Sequence, residues 1–233
     1  MQEQQKHFAT QDGTELFYRY RPAADGSSDK AIVLFHRGHE HSGRMMFVAD
    51  ELGFDDFAYF AWDARGHGHS PGERGDSPSI GTSVADVDDF IRYIQNEYGI
   101  KPENICVIAQ SVGAVLVSTW LHDYAPKIRC AVLASPAFKV KLYVPFARTG
   151  LKIMQKWRGN FFVNSYVKAH YLTHNKERQD SYDNDPLIAR AISVRILLGL
   201  YEAAERVVAD AQAITTPVQL LISGSDWVVH HKP

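Results

Sequence analysis

The 233-residue chain predicts an α/β fold, a mainly parallel sheet with helices on both faces and a helical insertion late in the core. Three observations carry that expectation. Continuous apolar runs recur at 31–35 (AIVLF), 57–62 (FAYFAW) and 105–109 (ICVIA), as strands covered on both faces require. Stretches with apolar residues at helical spacing lie between them. The segment 137–215 holds no comparable strand run and interrupts the alternation.

Each element follows from local chemistry. HFAT and TELFYRY flank Asp12-Gly13 and predict a hairpin. Residues 42–52 read as helical. Val84, Val87, Ile91, Ile94 and Tyr98 lie on one face of a helix over 82–98, with Ser83 and Asp86 spaced as a capping box and Gly99 as the stop. A mostly apolar helix over 112–124 ends before Pro126, and strands follow at 128–134 and 218–223. The insertion reads as helices near 145–157, 161–172 and 187–209, with Tyr182 to Asp185 and Pro186 as a loop whose carboxylates cap the next helix. The resulting division is core (1–136), helical cap or lid (137–215) and continued core (216–233). There is no internal repeat and no linker rich in Gly, Ser or Pro.

Composition bounds the function. Hydrophobic residues make up 45% of the chain, which fits a globular protein. Lys and Arg total 25 against 27 for Asp and Glu, a balance with no global attraction to nucleic acid or anionic membrane. Two cysteines, Cys106 and Cys130, sit in strand-like runs and read as buried thiols of a reducing compartment. The polar start MQEQQKHFATQDG has no signal-like core, and no apolar run approaches the ~20 residues that span a bilayer. A soluble cytoplasmic protein is expected.

The stretch CVIAQSVGAV, 106–115, joins an apolar strand to a helix through Ser111. Ala109 and Gly113 stand two residues to either side, in the pattern G-x-S-x-G with alanine for the first glycine. Small residues there let strand and helix approach, so that the serine sits exposed on a strained turn at a helix N-terminus. A nucleophilic serine also needs oxyanion donors and a base. The N–H of Val112 is one donor, and the loop LFHRGHEHSGR, 34–44, offers the second. His36, His39 and His41 in that loop lack the Cys or carboxylate cluster that would complete a metal site, so neither a metal nor another cofactor is expected.

With these stretches together, the chain resembles the α/β-hydrolase superfamily. Within it, the match is to the monoacylglycerol lipase and lysophospholipase-like branch, grouped with serine aminopeptidases. HRGHEHSGR (36–44), WDARGHGHSPGERG (62–75), AQSVGA (109–114) and THNKERQDSYDNDPLIAR (173–190) carry the resemblance, which spans nearly the whole chain. Arg37 stands where the family has glycine, as Ala109 does in the elbow. Matching the loop residue by residue implies Gly38 as the second oxyanion donor, with Arg37 as the fallback. The resemblance implies Asp226, just past the strand 218–223, as the acid that orients a histidine. It makes His67 and His69 structural residues of a Gly-rich turn.

Chain order in this fold is Ser, Asp, His, with a helix and a strand before the histidine. His230 and His231 lie four and five residues past Asp226 and read as the lead-in to a helix. The catalytic histidine is therefore expected outside this sequence, with the last strand and helix missing and the strand 218–223 left as an edge. Leu220, Leu221 and Ile222 are the side chains expected to be uncovered. Fusion to another domain, as in hydrolases joined to methyltransferases, is one source of the missing part that the resemblance implies.

The function so implied is a serine hydrolase of carboxylic esters, lipid-like ones such as a monoacylglycerol or lysophospholipid. A peptidase or another small-substrate hydrolase, and a non-catalytic domain of a fused protein, remain open. The cap segment 141–167 mixes aromatic and apolar residues with Lys141, Arg148, Lys152, Lys156 and Arg158. It reads equally as a packed lid and as a face for peripheral membrane contact.

Overall fold

The computed structural model describes every residue except 1, 25, 27–28, 142–146, 166 and 231–233. Strands β1 (Gln4–Ala9) and β2 (Glu15–Arg21) form the hairpin, turning where Gly13 takes φ 80°. There follow β3 (Ala31–Phe35), α1 (Phe47–Leu52), β4 (Ala58–Trp62), α2 (Ile80–Tyr98), β5 (Ile105–Gln110), α3 (Val112–Tyr124) and β6 (Cys130–Ala134). Then come α4 (Ala147–Arg158), β7 (Phe162–Asn164), α5 (Ala169–Leu172), α6 (Lys176–Asp183), β8 (Ala191–Ser193), α7 (Val194–Ala209) and β9 (Val218–Leu221).

The main sheet has the order β1-β2-β4-β3-β5-β6-β9. β1 and β2 run antiparallel, and all pairings from β4 to β9 are parallel. Chain direction across the sheet reverses on either side of β3, between β4 and β5, and ligands of such sheets bind at the carboxyl ends of strands at that point.

The apolar runs are continuous because successive residues serve opposite faces. Val33 and Phe35 join Phe60, Trp62, Phe90, Val115 and Trp120 in the larger core, under α2, α3 and α7. Ile32 and Leu34 face the other way, into a smaller core with Tyr59, Met45, Met46 and Ala49. Trp120 is fully buried, and its indole N–H donates to Asp88 Oδ1 at 2.9 Å.

Several local expectations need correction. α2 starts two residues early, because Ser79, not Ser83, accepts the capping bond, from the Thr82 N–H at 2.9 Å. Ser83 and Asp86 are buried, and Asp86 binds the Arg65 guanidinium at 2.7 Å. In the insertion, the helix expected over 161–172 is β7 followed by the short α5. The helix expected over 187–209 begins only at Val194, where Ser193 caps it and β8 pairs with β7. α6 has no counterpart among the expected helices, and Tyr182 and Asp183 lie in it rather than in a loop. α7 packs on the main core through Ile196, Leu200, Ala203 and Ala204. Cys106 and Cys130 are half-buried free thiols, register partners 3.5 Å apart at sulfur, and burial pushes the Cys106 thiol up to about 11.

β9 is an edge strand, ending at Leu221 rather than Ser223, and all four of its residues are exposed. Leu220, Leu221 and Ile222 are each about half exposed (48–50%). No helix among the described residues is long and apolar enough to cross a membrane.

Candidate active site

Ser111 occupies the single residue between β5 and α3 and has φ 53°, ψ −113°. That backbone region is strained for any residue with a β-carbon. The surroundings fix it: the Ser111 N–H donates to the Ala134 carbonyl at 2.9 Å, and its own carbonyl accepts from Val115 and Ala137. Close approach of α3 to β3 explains the glycine at 113. A β-carbon there would press into the His36 carbonyl and lie 2.9 Å from that of Phe35. Ala109 is wholly buried on the strand side. The half-buried Ser111 side chain opens into a cavity of about 470 Å³ walled largely by apolar residues, among them Val115, Ile196 and Leu200.

The loop after β3 lies against the start of α3, so that a β-carbon on Gly38 would be 2.9 Å from Val112 Cγ2. Among the described residues, no acceptor takes the N–H of Arg37, Gly38 or Val112. His36 orients the nearer peptide. Its Nε2 accepts from the Ala64 N–H at 3.0 Å, so Nδ1 carries the proton and donates to the Arg37 carbonyl at 2.8 Å. In a trans peptide, the Gly38 N–H then points opposite to that anchored carbonyl. Burial lowers the His36 pKa, in keeping with this neutral tautomer.

A second anchor links the loop to the turn after β4. Asp63 Oδ1 accepts from the Ser42 N–H at 2.6 Å and Oδ2 from the His69 N–H at 2.7 Å. Behind it, buried Glu40 takes Arg37 at 2.7 Å and Arg44 at 3.1 Å, and Asp185 takes His41 at 2.9 Å. Asp185 thus ties the insertion to the loop, while also capping the turn at Leu187.

Asp226 follows β9 and lines the same cavity. Its Oδ1 accepts from the N–H groups of Val228 and Val229 at 2.7 and 2.8 Å, while Oδ2 takes no bond from a described residue. The turn is strapped down by a bridge between Val140 and Val229.

None of the described histidines hydrogen-bonds the Ser111 hydroxyl. His67 lines the cavity, but its Nδ1–H donates to the Arg65 carbonyl at 2.8 Å, and its ring packs on His36. Burial and the neighbouring His36 pull its pKa to about 3, far below the value that suits a base at neutral pH. His69 is exposed and packs on Phe17. The His230 N–H donates to Lys139, and His231 lies outside the described residues. No group of three or more His, Cys, Asp or Glu among the described residues could hold a metal ion.

Comparison with known proteins gives the family. The family model "Serine aminopeptidase, S33" matches residues 26–233. The uncharacterised protein YnbC of Escherichia coli K12 is 61% identical over 226 residues, covering 97% of this chain but 39% of its own length. The monoglyceride lipase of Mus musculus is 30% identical over 232 residues, covering 97% of this chain and 74% of the mouse protein. The monoacylglycerol lipase of Paleococcus ferrophilus superposes with a TM-score of 0.73 at 26% identity, over 95% of this chain and 77% of that one. The chain therefore belongs to the serine aminopeptidase S33 family of the α/β-hydrolase superfamily.

Proposed function

We propose that this chain carries the nucleophile, oxyanion site and orienting acid of an ester hydrolase that works through an acyl-enzyme. The observation that carries the reading is Ser111 at φ 53°, set beside amide groups of Gly38 and Val112 that have no acceptor among the described residues. In the first step the Ser111 oxygen attacks the ester carbonyl, and its proton passes to a base. The developing oxyanion takes hydrogen bonds from Val112 and Gly38. Collapse breaks the C–O bond, the base returns the proton to the departing alcohol, and water then releases the acid by the same steps.

Asp226 orients that base through Oδ2, the oxygen without a described partner. No described histidine is placed to act as that base, so the base is a group beyond the described residues. Catalytic groups that act as a unit lose several orders of magnitude when one is absent.

The apolar cavity suits an acyl chain, and the Mus musculus and Paleococcus ferrophilus relatives named as lipases support a lipid-like ester. α4 supports delivery from a membrane surface. Arg148 and Lys152 tie it to Glu205 and Glu202 of α7, while Gly150, Ile153, Met154 and Trp157 form an exposed stripe at helical spacing. Trp157 is 88% exposed, with Lys156 and Arg158 beside it. Hydrolysis of p-nitrophenyl esters tests the reading. The full-length protein turns over, Ser111→Ala abolishes the turnover, and Asp226→Asn cuts it by several orders of magnitude. Robust turnover by Ser111→Ala contradicts it.

A further inference from the structure

A second, smaller cavity of about 180 Å³ adjoins the first, and Arg37, Gln110 and Tyr182 line both. Arg44 and Arg178 complete its cationic wall, and Glu40 is the only carboxylate in its lining. We propose that this cavity is an anion subsite that takes a phosphate group carried by the molecule bound at Ser111.

Charge is the first argument. Three guanidiniums, cationic at any physiological pH, face one carboxylate. Glu40 is already shared, with its Oε1 accepting from Arg37 at 2.7 Å and from Arg44 at 3.1 Å. Asp185, behind Arg44 at 3.4 Å, offsets a second charge. Arg178 remains: among the described residues no carboxylate lies within ion-pair distance of it. Its guanidinium is instead held over the Phe47 ring at 4.2 Å, which places the cation without neutralising it.

Hydrogen-bonding capacity is the second argument. The Tyr182 ring is walled by Arg37, Arg44 and Arg190 at 5.6–6.0 Å, and its hydroxyl has no hydrogen-bond partner among the described residues. A phosphate oxygen accepts from hydroxyl and guanidinium donors together, and planar guanidiniums match its geometry. Position is the third. Gln110 immediately precedes Ser111 and Arg37 immediately precedes Gly38, so the subsite abuts the nucleophile and oxyanion donors. Arg37 stands where the family pattern has glycine, so this cation is a feature of the chain rather than of the fold.

The catalytic reading enters only in what the phosphate is attached to; binding of the anion tests separately. Calorimetric titration of residues 1–233 with glycerol 3-phosphate, inorganic phosphate and glycerol is the experiment. Glycerol 3-phosphate binds, inorganic phosphate binds several-fold more weakly, and glycerol does not bind. Arg178→Ala, an exposed position that leaves folding intact, weakens glycerol 3-phosphate about tenfold, and Arg178→Lys weakens it less. Ser111→Ala leaves it unchanged, which supports the subsite whatever becomes of the nucleophile. Binding unaltered by Arg178→Ala, equal affinity for inorganic phosphate, or no binding of glycerol 3-phosphate would each overturn the proposal.

Discussion

Gly113 and His36 meet backbone to backbone: the α-carbon of the one is packed so tightly on the carbonyl of the other that no β-carbon fits between them. The obstacle is main chain on both sides, from Phe35 as well as His36, so no rotamer change relieves it. Gly113→Ala therefore lowers stability by about 1–3 kcal/mol, the usual cost of overpacking. It also displaces α3 and the Val112 N–H. Thermal unfolding checks the first effect, and an unchanged Tm would mean that α3 sits further from β3 than described.

Ser111 supplies a second prediction. Its φ of 53° and ψ of −113° cost a residue with a β-carbon about 1–3 kcal/mol. Ser111→Gly relieves that strain against an unfolded-state penalty of about 0.5–1 kcal/mol, while Ser111→Ala retains it. The glycine variant should be the more stable of the two by about 0.5–2 kcal/mol. Denaturant unfolding of the pair measures the difference. Equal stabilities would show that the elbow is not strained.

The buried imidazoles set the acid limit. Burial lowers the pKa of His36 and His39 and takes that of His67 to about 3. The unfolded chain binds protons at these positions below about pH 6.5, whereas the folded chain does not. Their contribution is thus fully present above pH 6.5 and is lost as pH falls toward the folded values. Each such group removes about 1.4 kcal/mol per pH unit in that window. Unfolding free energy measured from pH 7.5 to 5 should fall steeply. His67→Asn should flatten the slope by one proton, and a slope that does not change would contradict the assignment.

At α4 the exposed stripe predicts membrane affinity without a stability cost. Trp157→Ala with Ile153→Ser should reduce partition onto anionic vesicles by tenfold or more, since each exposed side chain offers about 1.5–3 kcal/mol of burial. Unfolding should shift by less than about 0.5 kcal/mol, as for other surface changes. Vesicle sedimentation reads the first quantity. Unchanged partition would assign the stripe to another partner.

What the sequence reveals depends on whether the signal is local. AIVLF shows β3 directly, because a strand between two helical layers must be apolar at every position. The elbow is equally visible, since β5, Ser111, Gly113 and α3 are consecutive. The capping residue of α2 is not legible locally: Ser83 and Asp86 have capping-box spacing, but their tertiary burial leaves the cap to Ser79. The three-residue strands β7 and β8 are too short to show a period, and they exist through mutual pairing across the 26 residues between them. The contact of His41 with Asp185, 144 residues apart, and the positive φ of His39 leave no local trace beyond the matching motif stretches. The small cationic cavity is invisible for the same reason. Arg37, Arg44 and Arg178 come from two distant segments that only the fold unites.

The central claim is that Ser111 is the nucleophile, and intact-protein mass spectrometry after treatment with a fluorophosphonate tests it most directly. In the full-length protein, one phosphonyl adduct forms and maps to the peptide containing Ser111, and Ser111→Ala forms none. An adduct on another residue, or equal labelling of Ser111→Ala, would contradict the account.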